Sequence, residues 1–252
     1  MIGPILRTQR LFKRFGGLVA TDGLDLEVGP TELHAIIGPN GAGKTTLISQ
    51  LVGELVPDAG VIEFDGRDIT GFATHRRARL GLSRSYQITS IFPEFTCLEN
   101  VALAAQAQDG HSFGIWRPAL EQQQLTKPAG QALEEVGLGP RSADVAAALA
   151  HGERRQLELA MALVSKPKLL LLDEPMAGMG RHESEMMVRL LSSLKGRYAI
   201  LLVEHDMDAV FALADRITVL VYGRGIASGP PDAIRASVEV KRAYLGDRYA
   251  QR

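Results

Sequence analysis

The sequence predicts a mainly parallel α/β core that is divided by an all-helical insertion. Apolar runs of strand length at residues 33–37, 169–172 and 199–203 alternate with segments of helical period, a pattern typical of parallel βαβ units. From about residue 95 to residue 163 the chain changes to Ala, Leu, Gln and Glu at helical spacing. Strand patterns return after residue 163, so the helical segment is predicted to interrupt one core.

Glycines, prolines and apolar runs locate the individual elements. The first 35 residues predict short strands at 12–19 and 24–28, separated by glycines and Pro30. The apolar strand at 33–37 leads into a glycine-rich loop and then a helix. The remaining predicted elements are a strand at 61–64 closed by an Asp65-Gly66 turn, a looser patch at 108–125 with the only tryptophan, Trp116, a helix at 183–194, and a strand at 217–222 before a Gly223-Arg224-Gly225 turn.

The composition limits the functional classes. The chain has 252 residues, of which 46% are hydrophobic and 23% charged, which is ordinary for a globular protein and argues against disorder, collagen or coiled coil. A formal net charge of −1 gives no basic field, which argues against a general nucleic-acid-binding protein. The only cysteine, Cys97, excludes an internal disulfide and fits a reducing compartment. No apolar run has the length of a membrane span and the first residues lack a signal-peptide core, so we expect a soluble chain.

A phosphate-binding loop follows the strand at 33–37. The pattern G-x-x-x-x-G-K-[ST] is matched in full by Gly38-Pro39-Asn40-Gly41-Ala42-Gly43-Lys44-Thr45. Glycines let the backbone amides and the following helix N-terminus approach a phosphate chain closely. We expect Lys44 to reach the β- and γ-phosphates, the Thr45 hydroxyl to ligate Mg²⁺, and Thr46 to add a phosphate contact. The alternative is a chance match in a strand-to-helix turn, which the flanking strand and helix disfavour.

Acidic residues and a histidine follow two later strands. Asp173 and Glu174 end the apolar run at 169–172, and His205 follows the run at 199–203. Because parallel strands open their carboxyl ends into one crevice, both acids are predicted to face the phosphate loop, Asp173 toward Mg²⁺ and Glu174 toward an attacking water. His205 is expected to contact the γ-phosphate or the water. The alternatives are a helix-capping Asp-Glu turn and a packing histidine. The other histidines lack metal-ligand spacing, so no zinc site is predicted: His34, His75, His111, His151 and His182.

With these motifs, nearly the whole chain resembles the ATP-binding subunit of an ABC transporter. The distinguishing segment is Leu149-Ala150-His151-Gly152-Glu153-Arg154-Arg155-Gln156, which is similar to the family's signature and lies ahead of the acidic strand. The resemblance implies that residues 150–153 bind the γ-phosphate of ATP held by an opposite subunit; the alternative is an ordinary amphipathic helix with a polar start. It also implies that Gln87 contacts Mg²⁺ and the water, that the loop at 88–95 faces a membrane subunit, and that Phe15 stacks on adenine. For Phe15 the alternative is a strand core residue.

The resemblance further implies a fold, partners and a location. The expected fold is a P-loop NTPase core of RecA type with an N-terminal antiparallel β subdomain and an inserted helical subdomain. Residues 1–87 and 161–235 would form the core, 88–160 the helical subdomain and 236–252 a C-terminal tail. The partners would be integral permease subunits, a second ATP-binding subunit, identical or not, and indirectly a solute-binding protein, at the cytoplasmic face of the inner membrane and without nucleic acid.

Four short matches resemble the ATPases of branched-chain or other hydrophobic amino-acid importers. These are Arg14-Phe15-Gly16-Gly17-Leu18, Met176-Ala177-Gly178-Met179, Val203-Glu204-His205-Asp206-Met207 and Ala243-Tyr244-Leu245-Gly246. The last of them also occurs in related urea-uptake ATPases, and its simpler interpretation is a short terminal helix that packs on the core.

Two departures from the family pattern affect the signature and the loop after Glu174. Ala150 replaces the signature serine, and Gly180 stands where the loop usually carries Asp or Asn. Both replacements are expected to weaken the ATP site that is shared between two subunits. This suggests that the partner ATPase is a non-identical chain. The competing functions are a non-transport ABC ATPase such as an iron–sulfur assembly subunit, a chromosome-maintenance ATPase, for which the chain lacks a long coiled coil, and a module that senses nucleotide without hydrolysing it.

Overall fold

The computed structural model describes residues 3–85, 91–108 and 123–242. Two sheets and a helical region make up this part of the chain. The strands are, in chain order, β1 (Leu6–Phe15), β2 (Leu18–Val28), β3 (Leu33–Ile37), β4 (Ala59–Phe64), β5 (Arg67–Asp68), β6 (Leu82–Ser85), β7 (Leu169–Asp173), β8 (Ala199–Val203), β9 (Arg216–Val221) and β10 (Arg224–Gly229). The helices are α1 (Lys44–Val52), α2 (Thr74–Arg79), α3 (Cys97–Gln108), α4 (Gln123–Glu135), α5 (His151–Leu163), α6 (Arg181–Leu194), α7 (Met207–Leu213), α8 (Pro231–Ala236) and α9 (Val238–Val240).

The larger sheet confirms the predicted α/β core. Its strand order is β10-β9-β3-β8-β7-β6, and all neighbours are parallel except the β9–β10 pair. Every residue of β3, β7 and β8 is buried, because both faces of the sheet are covered. Strands covered on both faces favour continuous apolar sequence, which is why the apolar runs predicted these three strands.

The smaller sheet is antiparallel, with strand order β2-β1-β4-β5. The predicted strand at 12–19 is wrong, because the chain turns at Gly16, whose φ is 57°, and Phe15 pairs with Leu18 across the turn. The predicted strand at 24–28 is only the second half of β2, which continues through Gly23 at a φ of 63°. The N-terminal antiparallel unit is therefore built around a long β1–β2 hairpin.

Two tight turns use residues with positive φ. Asp65 and Gly66, at φ 50° and 72°, join β4 to β5 as predicted. Tyr222 and Gly223, at φ 48° and 78°, join β9 to β10, so the predicted Gly223-Arg224-Gly225 turn is one residue too late. Positive φ at both central residues gives the twist that antiparallel hairpins need.

Two apolar clusters lie on opposite faces of the larger sheet. One joins a face of the sheet to the helical region and includes Leu172, Leu133 and Val101. The other joins the opposite face to α1 and to the antiparallel sheet and includes Leu171 and Phe64. The helical region is thus packed onto the core, and the division at residues 87, 160 and 235 stays a prediction.

In the described part of the chain, no helix combines the length and apolar character needed to cross a membrane. Trp116, Gln87 and the Ala243-Tyr244-Leu245-Gly246 segment lie outside the described residues.

Candidate nucleotide site

The phosphate loop lies between the carboxyl end of β3 and the start of α1. Gly38 and Gly43 are required by close packing, since a Cβ atom would meet the Leu220 carbonyl oxygen at 2.3 Å and the Ala20 carbonyl oxygen at 2.2 Å, respectively. Gly43 also has a φ of 101° and caps α1 without a side-chain acceptor. Asn40 and Gly41 are exposed. The helix therefore presents its N-terminal amides at an open loop, an arrangement suited to an anion.

Lys44 lies across this loop. Its ammonium donates to the carbonyl oxygens of Gly38, at 2.7 Å, and Pro39, at 3.1 Å. Burial lowers the pKa of Lys44, and the nearby charges of Glu174 and Asp173 oppose that shift. The sheet therefore brings the loop lysine and the two carboxylates into one electrostatic neighbourhood, as the sequence predicted.

Asp173 is the last residue of β7 and is only 4% exposed. Its Oδ2 accepts from the Arg84 guanidinium at 3.1 Å, and the same guanidinium bonds Glu54 at 2.8 Å. Burial raises the pKa of Asp173, against the lowering effect of Arg84. Thr45 is exposed beside Lys44. The hydroxyl and carboxylate oxygens of Thr45 and Asp173 are the donor type that Mg²⁺ prefers, so these residues fit that ion.

Glu174 follows β7 with a strained backbone. Its φ is 50°, uncommon for a residue with a side chain, and its amide donates to the Val203 carbonyl at 2.8 Å. The Glu174 carboxylate lies 4.0 Å from Nδ1 of His205, measured from Oε1. The side chains are 33% and 63% exposed, so both remain accessible to a ligand from solvent. Neither residue caps the helix that follows it, because Gly180 caps α6 and Asp206 caps α7.

The signature segment begins α5. Ala150 is the N-cap, and its amide donates to Oε2 of Glu153 at 2.8 Å, while Arg141 bonds both oxygens of that carboxylate. The Gly152 amide donates to Oε1 of Glu183 at 3.3 Å. His151 lies beside the loop that follows Glu174, since a Cβ atom on Gly178 would be 3.3 Å from its Nε2. Alanine has no side-chain oxygen, so only half of a capping box forms here.

Gly180 caps α6, and its amide donates to Oε2 of Glu183 at 3.1 Å. The Glu183 carboxylate thus joins Gly152 of the signature segment to Gly180, at the end of the loop that follows Glu174.

Phe15 ends β1 and is 48% exposed, so it is not a strand core residue. The Lys13 ammonium lies 5.7 Å from the centre of its ring. In the described part of the loop at 88–95, Phe92 and Phe95 stack with ring centres 5.2 Å apart, and both are exposed.

The structure thus gathers Lys44, Asp173, Glu174 and His205, and it places residues 150–153 at a separate helix end. Sequence reasoning missed the side chains that hold this arrangement: Arg84, Glu183 and Glu204. Glu204 is next to His205 in the sequence, but its partners are backbone amides, which no residue pattern specifies.

A phosphate loop at the carboxyl edge of a parallel sheet, faced by carboxylates from the end of a second strand of that sheet, defines a P-loop nucleoside triphosphatase. The sequence pattern of the ABC transporter family matches residues 21–177, and that of the branched-chain amino acid ATP-binding cassette transporter matches residues 226–250. The chain belongs to the ABC transporter family and is one of its ATPases.

Individual proteins give the same result. The chain is 37% identical to the high-affinity branched-chain amino acid transport ATP-binding protein BraF of Pseudomonas aeruginosa, over 98% of this chain and 100% of the relative. It is 37% identical, with the same coverage, to the corresponding protein LivG of Escherichia coli strain K12. A crystal structure of an ABC transporter cassette in its ADP conformation superposes with a TM-score of 0.86 at 29% identity, covering 96% of this chain and 99% of that one.

Proposed function

We propose that the chain is the ATP-hydrolysing subunit of an importer for branched-chain or other hydrophobic amino acids. The observation that carries the hydrolytic part is the grouping of Lys44, Asp173, Glu174 and His205 at one edge of the sheet. Its similarity to BraF and LivG, and the matching C-terminal segment at 226–250, support the substrate class. They favour transport over an iron–sulfur assembly role.

In the proposed reaction the phosphate loop holds the nucleotide. Amides of Gly41, Gly43 and the first turn of α1 donate to phosphate oxygens, with Asn40, Thr45 and Thr46 at the rim. Lys44 exchanges the carbonyl oxygens of Gly38 and Pro39 for the β- and γ-phosphates. A phosphate is a stronger acceptor than a neutral carbonyl, so this exchange favours binding.

Glu174 and His205 act on the transferred phosphoryl group. The Glu174 carboxylate, partly exposed and next to Lys44, polarises the attacking water and receives its proton. His205 donates toward the γ-phosphate oxygens as charge develops there. Mg²⁺, held by Thr45 and Asp173 with Gln87, supplies charge neutralisation on the β- and γ-phosphates when bound. Phe15 offers an exposed ring face for adenine.

A second ATP-binding subunit completes each site in this proposal. Residues Ala150, His151, Gly152 and Glu153 of one chain would meet the γ-phosphate held by the other, through the amides at the start of α5. The partner is an identical or a non-identical ATPase, and the replacement of the signature serine by Ala150 favours the second. Integral permease subunits would bind near the exposed Phe92–Phe95 pair, at the cytoplasmic face of the inner membrane, with a solute-binding protein acting on the far side. The division into core, helical subdomain 88–160 and tail 236–252 belongs to the same proposal.

The test replaces Glu174 by Gln in the complex purified with its membrane subunits. Glu174→Gln should bind ATP with near-normal affinity and hydrolyse it at least about 100-fold more slowly, because the amide cannot accept the proton from water. Glu185→Gln, the same change at an exposed position of α6, is the matched control and should leave turnover unchanged. Near-normal turnover in Glu174→Gln would remove Glu174 as the base. ATP-dependent uptake of leucine into vesicles containing the complex tests the substrate class, and uptake of a different solute only would contradict it.

A further inference from the structure

Glu204 is a buried carboxylate at the point where two catalytic segments meet. It lies between Val203, the last residue of β8, and His205, and its side chain is 0% exposed. Within the described residues, no Lys or Arg comes within ion-pair distance of it. A buried carboxylate without a cation is costly unless hydrogen-bond donors surround it.

Backbone amides supply those donors. Oε1 of Glu204 accepts from the Met176 amide at 2.9 Å, and Oε2 accepts from the His205 amide at 3.0 Å. The Asp206 amide lies at 3.5 Å from Oε2. The first donor belongs to the loop that follows Glu174, and the others belong to the segment that carries His205. One side chain therefore bonds both segments.

Helix capping does not explain this carboxylate. The adjacent α7 already has its own cap, because the Asp206 side chain accepts from the amides of Asp208 and Ala209 at 3.0 Å and 3.2 Å. Glu204 instead accepts from the amides of Met176 and His205, which both lie outside α7. Its two carboxylate oxygens connect the segments that follow β7 and β8, beyond the last paired residues, Asp173 and Val203.

The link has consequences for Glu174 and His205. Glu174 keeps its φ of 50° between two restraints, its own amide on the Val203 carbonyl and the Met176 amide on Glu204. Nδ1 of His205 lies 3.7 Å from Glu204 and 4.0 Å from Glu174, so two carboxylates face the same ring nitrogen. The His205 amide also donates to Glu204, so the same carboxylate holds the backbone that carries this ring.

We infer that Glu204 is a positioning residue for ATP hydrolysis, which holds the backbones that carry Glu174 and His205 in one fixed relation. This inference rests on the proposed function of the site. The hydrogen bonds of Glu204 go to the amides of Met176, His205 and Asp206 and not to the phosphate loop, so its role is confined to the hydrolytic step. Its loss should lower kcat and leave the KM for ATP nearly unchanged.

The experiment measures ATP hydrolysis by the complex purified with its membrane subunits. In Glu204→Gln an amide group replaces one acceptor oxygen and faces a backbone N–H, which breaks the link without changing the side-chain volume. We expect kcat to fall about 10- to 100-fold with KM within about twofold. In a His205→Ala background the same substitution should lower kcat by a smaller factor than in the wild type, because the part of the effect that acts through His205 is already lost.

A matched control is Glu158→Gln, which makes the same change at another buried carboxylate, bonded to Arg155 on α5. Its kcat should stay within about twofold of the wild type. Glu204→Asp keeps the charge but is too short to reach both segments, so it should show the same selective loss of kcat, and it decides the question if Glu204→Gln does not fold. A kcat within twofold of the wild type in either variant, or equal losses with and without His205, would overturn the inference. A wild-type complex that hydrolyses no ATP would instead overturn the proposed function.

Discussion

Arg77 offers a quantitative test of how the end of α1 is stabilised. The residue is 1% exposed, and its guanidinium donates to four carbonyl oxygens, at distances of 2.7 to 2.9 Å. Two of these belong to Gln50 and Leu51 in the last turn of α1, and the others to Phe72 and Thr70. Burial lowers the pKa of Arg77 to about 10, so the group is still charged at neutral pH. The helix that starts at the phosphate loop is therefore held at its far end by one cation.

The size of the effect follows from these contacts. A hydrogen bond to a charged group contributes roughly 1.5–3 kcal/mol, so four such bonds sum to roughly 6–12 kcal/mol. The cost of burying the guanidinium, several kcal/mol, offsets much of that sum. Leucine at this position would remove the guanidinium donor from all four carbonyls, of which that of Gln50 would keep the Gly53 amide at 3.3 Å. We expect Arg77→Leu to lower the free energy of unfolding by about 3–5 kcal/mol, a large fraction of the roughly 5–15 kcal/mol typical of a domain.

Urea unfolding at neutral pH, followed by circular dichroism, measures this loss. Arg76→Leu is the matched control: Arg76 is exposed, with its guanidinium 4.1 Å from the centre of the Phe72 ring, and its replacement should cost within about 1 kcal/mol. Gly53→Ala should also destabilise the chain, since the new Cβ atom would lie 2.8 Å from Nε of Arg77. An Arg77→Leu variant within 1 kcal/mol of the wild type, or no more affected than Arg76→Leu, would refute this account of α1.

Three further predictions concern activity, pH and reactivity. Ala150→Ser adds an N-cap oxygen to α5, worth about 1 kcal/mol, and should raise ATP turnover of the assembled complex; unchanged turnover would remove Ala150 as a limitation. Burial makes the pKa of Asp173 higher in the folded chain than its ordinary 3.8, so its ionisation opposes folding as the pH rises above that value. Urea midpoints should therefore show that Asp173→Asn gains stability relative to the wild type between pH 4 and pH 7. Its ATP turnover should fall about 100-fold. A stability difference between variant and wild type that is the same at both pH values would contradict the reasoning. Burial also raises the pKa of the Cys97 thiol, which should react with a disulfide reagent at least about 100-fold more slowly than in the urea-unfolded chain; similar rates would show that the thiol is accessible.

The parts of the fold that sequence patterns predicted share one physical property. β3 and β8 agree with their predicted bounds because every residue in them is buried, so the apolar run and the strand coincide. β6 was missed because its sequence, Leu-Ser-Arg-Ser, has no apolar run; pairing with β7 makes it a strand. The β1–β2 hairpin was misplaced because its turn at Gly16 lies within a run that resembles a strand. In both cases the strand bounds are set by pairing with another strand and not by the local sequence.

The candidate site divides in the same way. Lys44, Asp173, Glu174 and His205 could be predicted because phosphate chemistry demands fixed residue types at fixed positions after strands. Glu204 was passed over because its partners are amides of the backbone, which every residue carries. Residues that bind the ligand leave a pattern in the sequence, whereas residues that hold them in place are visible only in the folded chain.

The position of β3 has a consequence for synthesis of the chain. Both of its neighbours, β8 and β9, begin at or after residue 199, so β3 has neither edge paired until more than three quarters of the sequence exists. A growing chain therefore carries the apolar run 33–37 with two open edges, which invites pairing with other chains. Parallel pairing over such separations is also slow. We expect nascent chains of up to about 200 residues to depend on chaperones, and the phosphate loop to acquire its native shape late in synthesis.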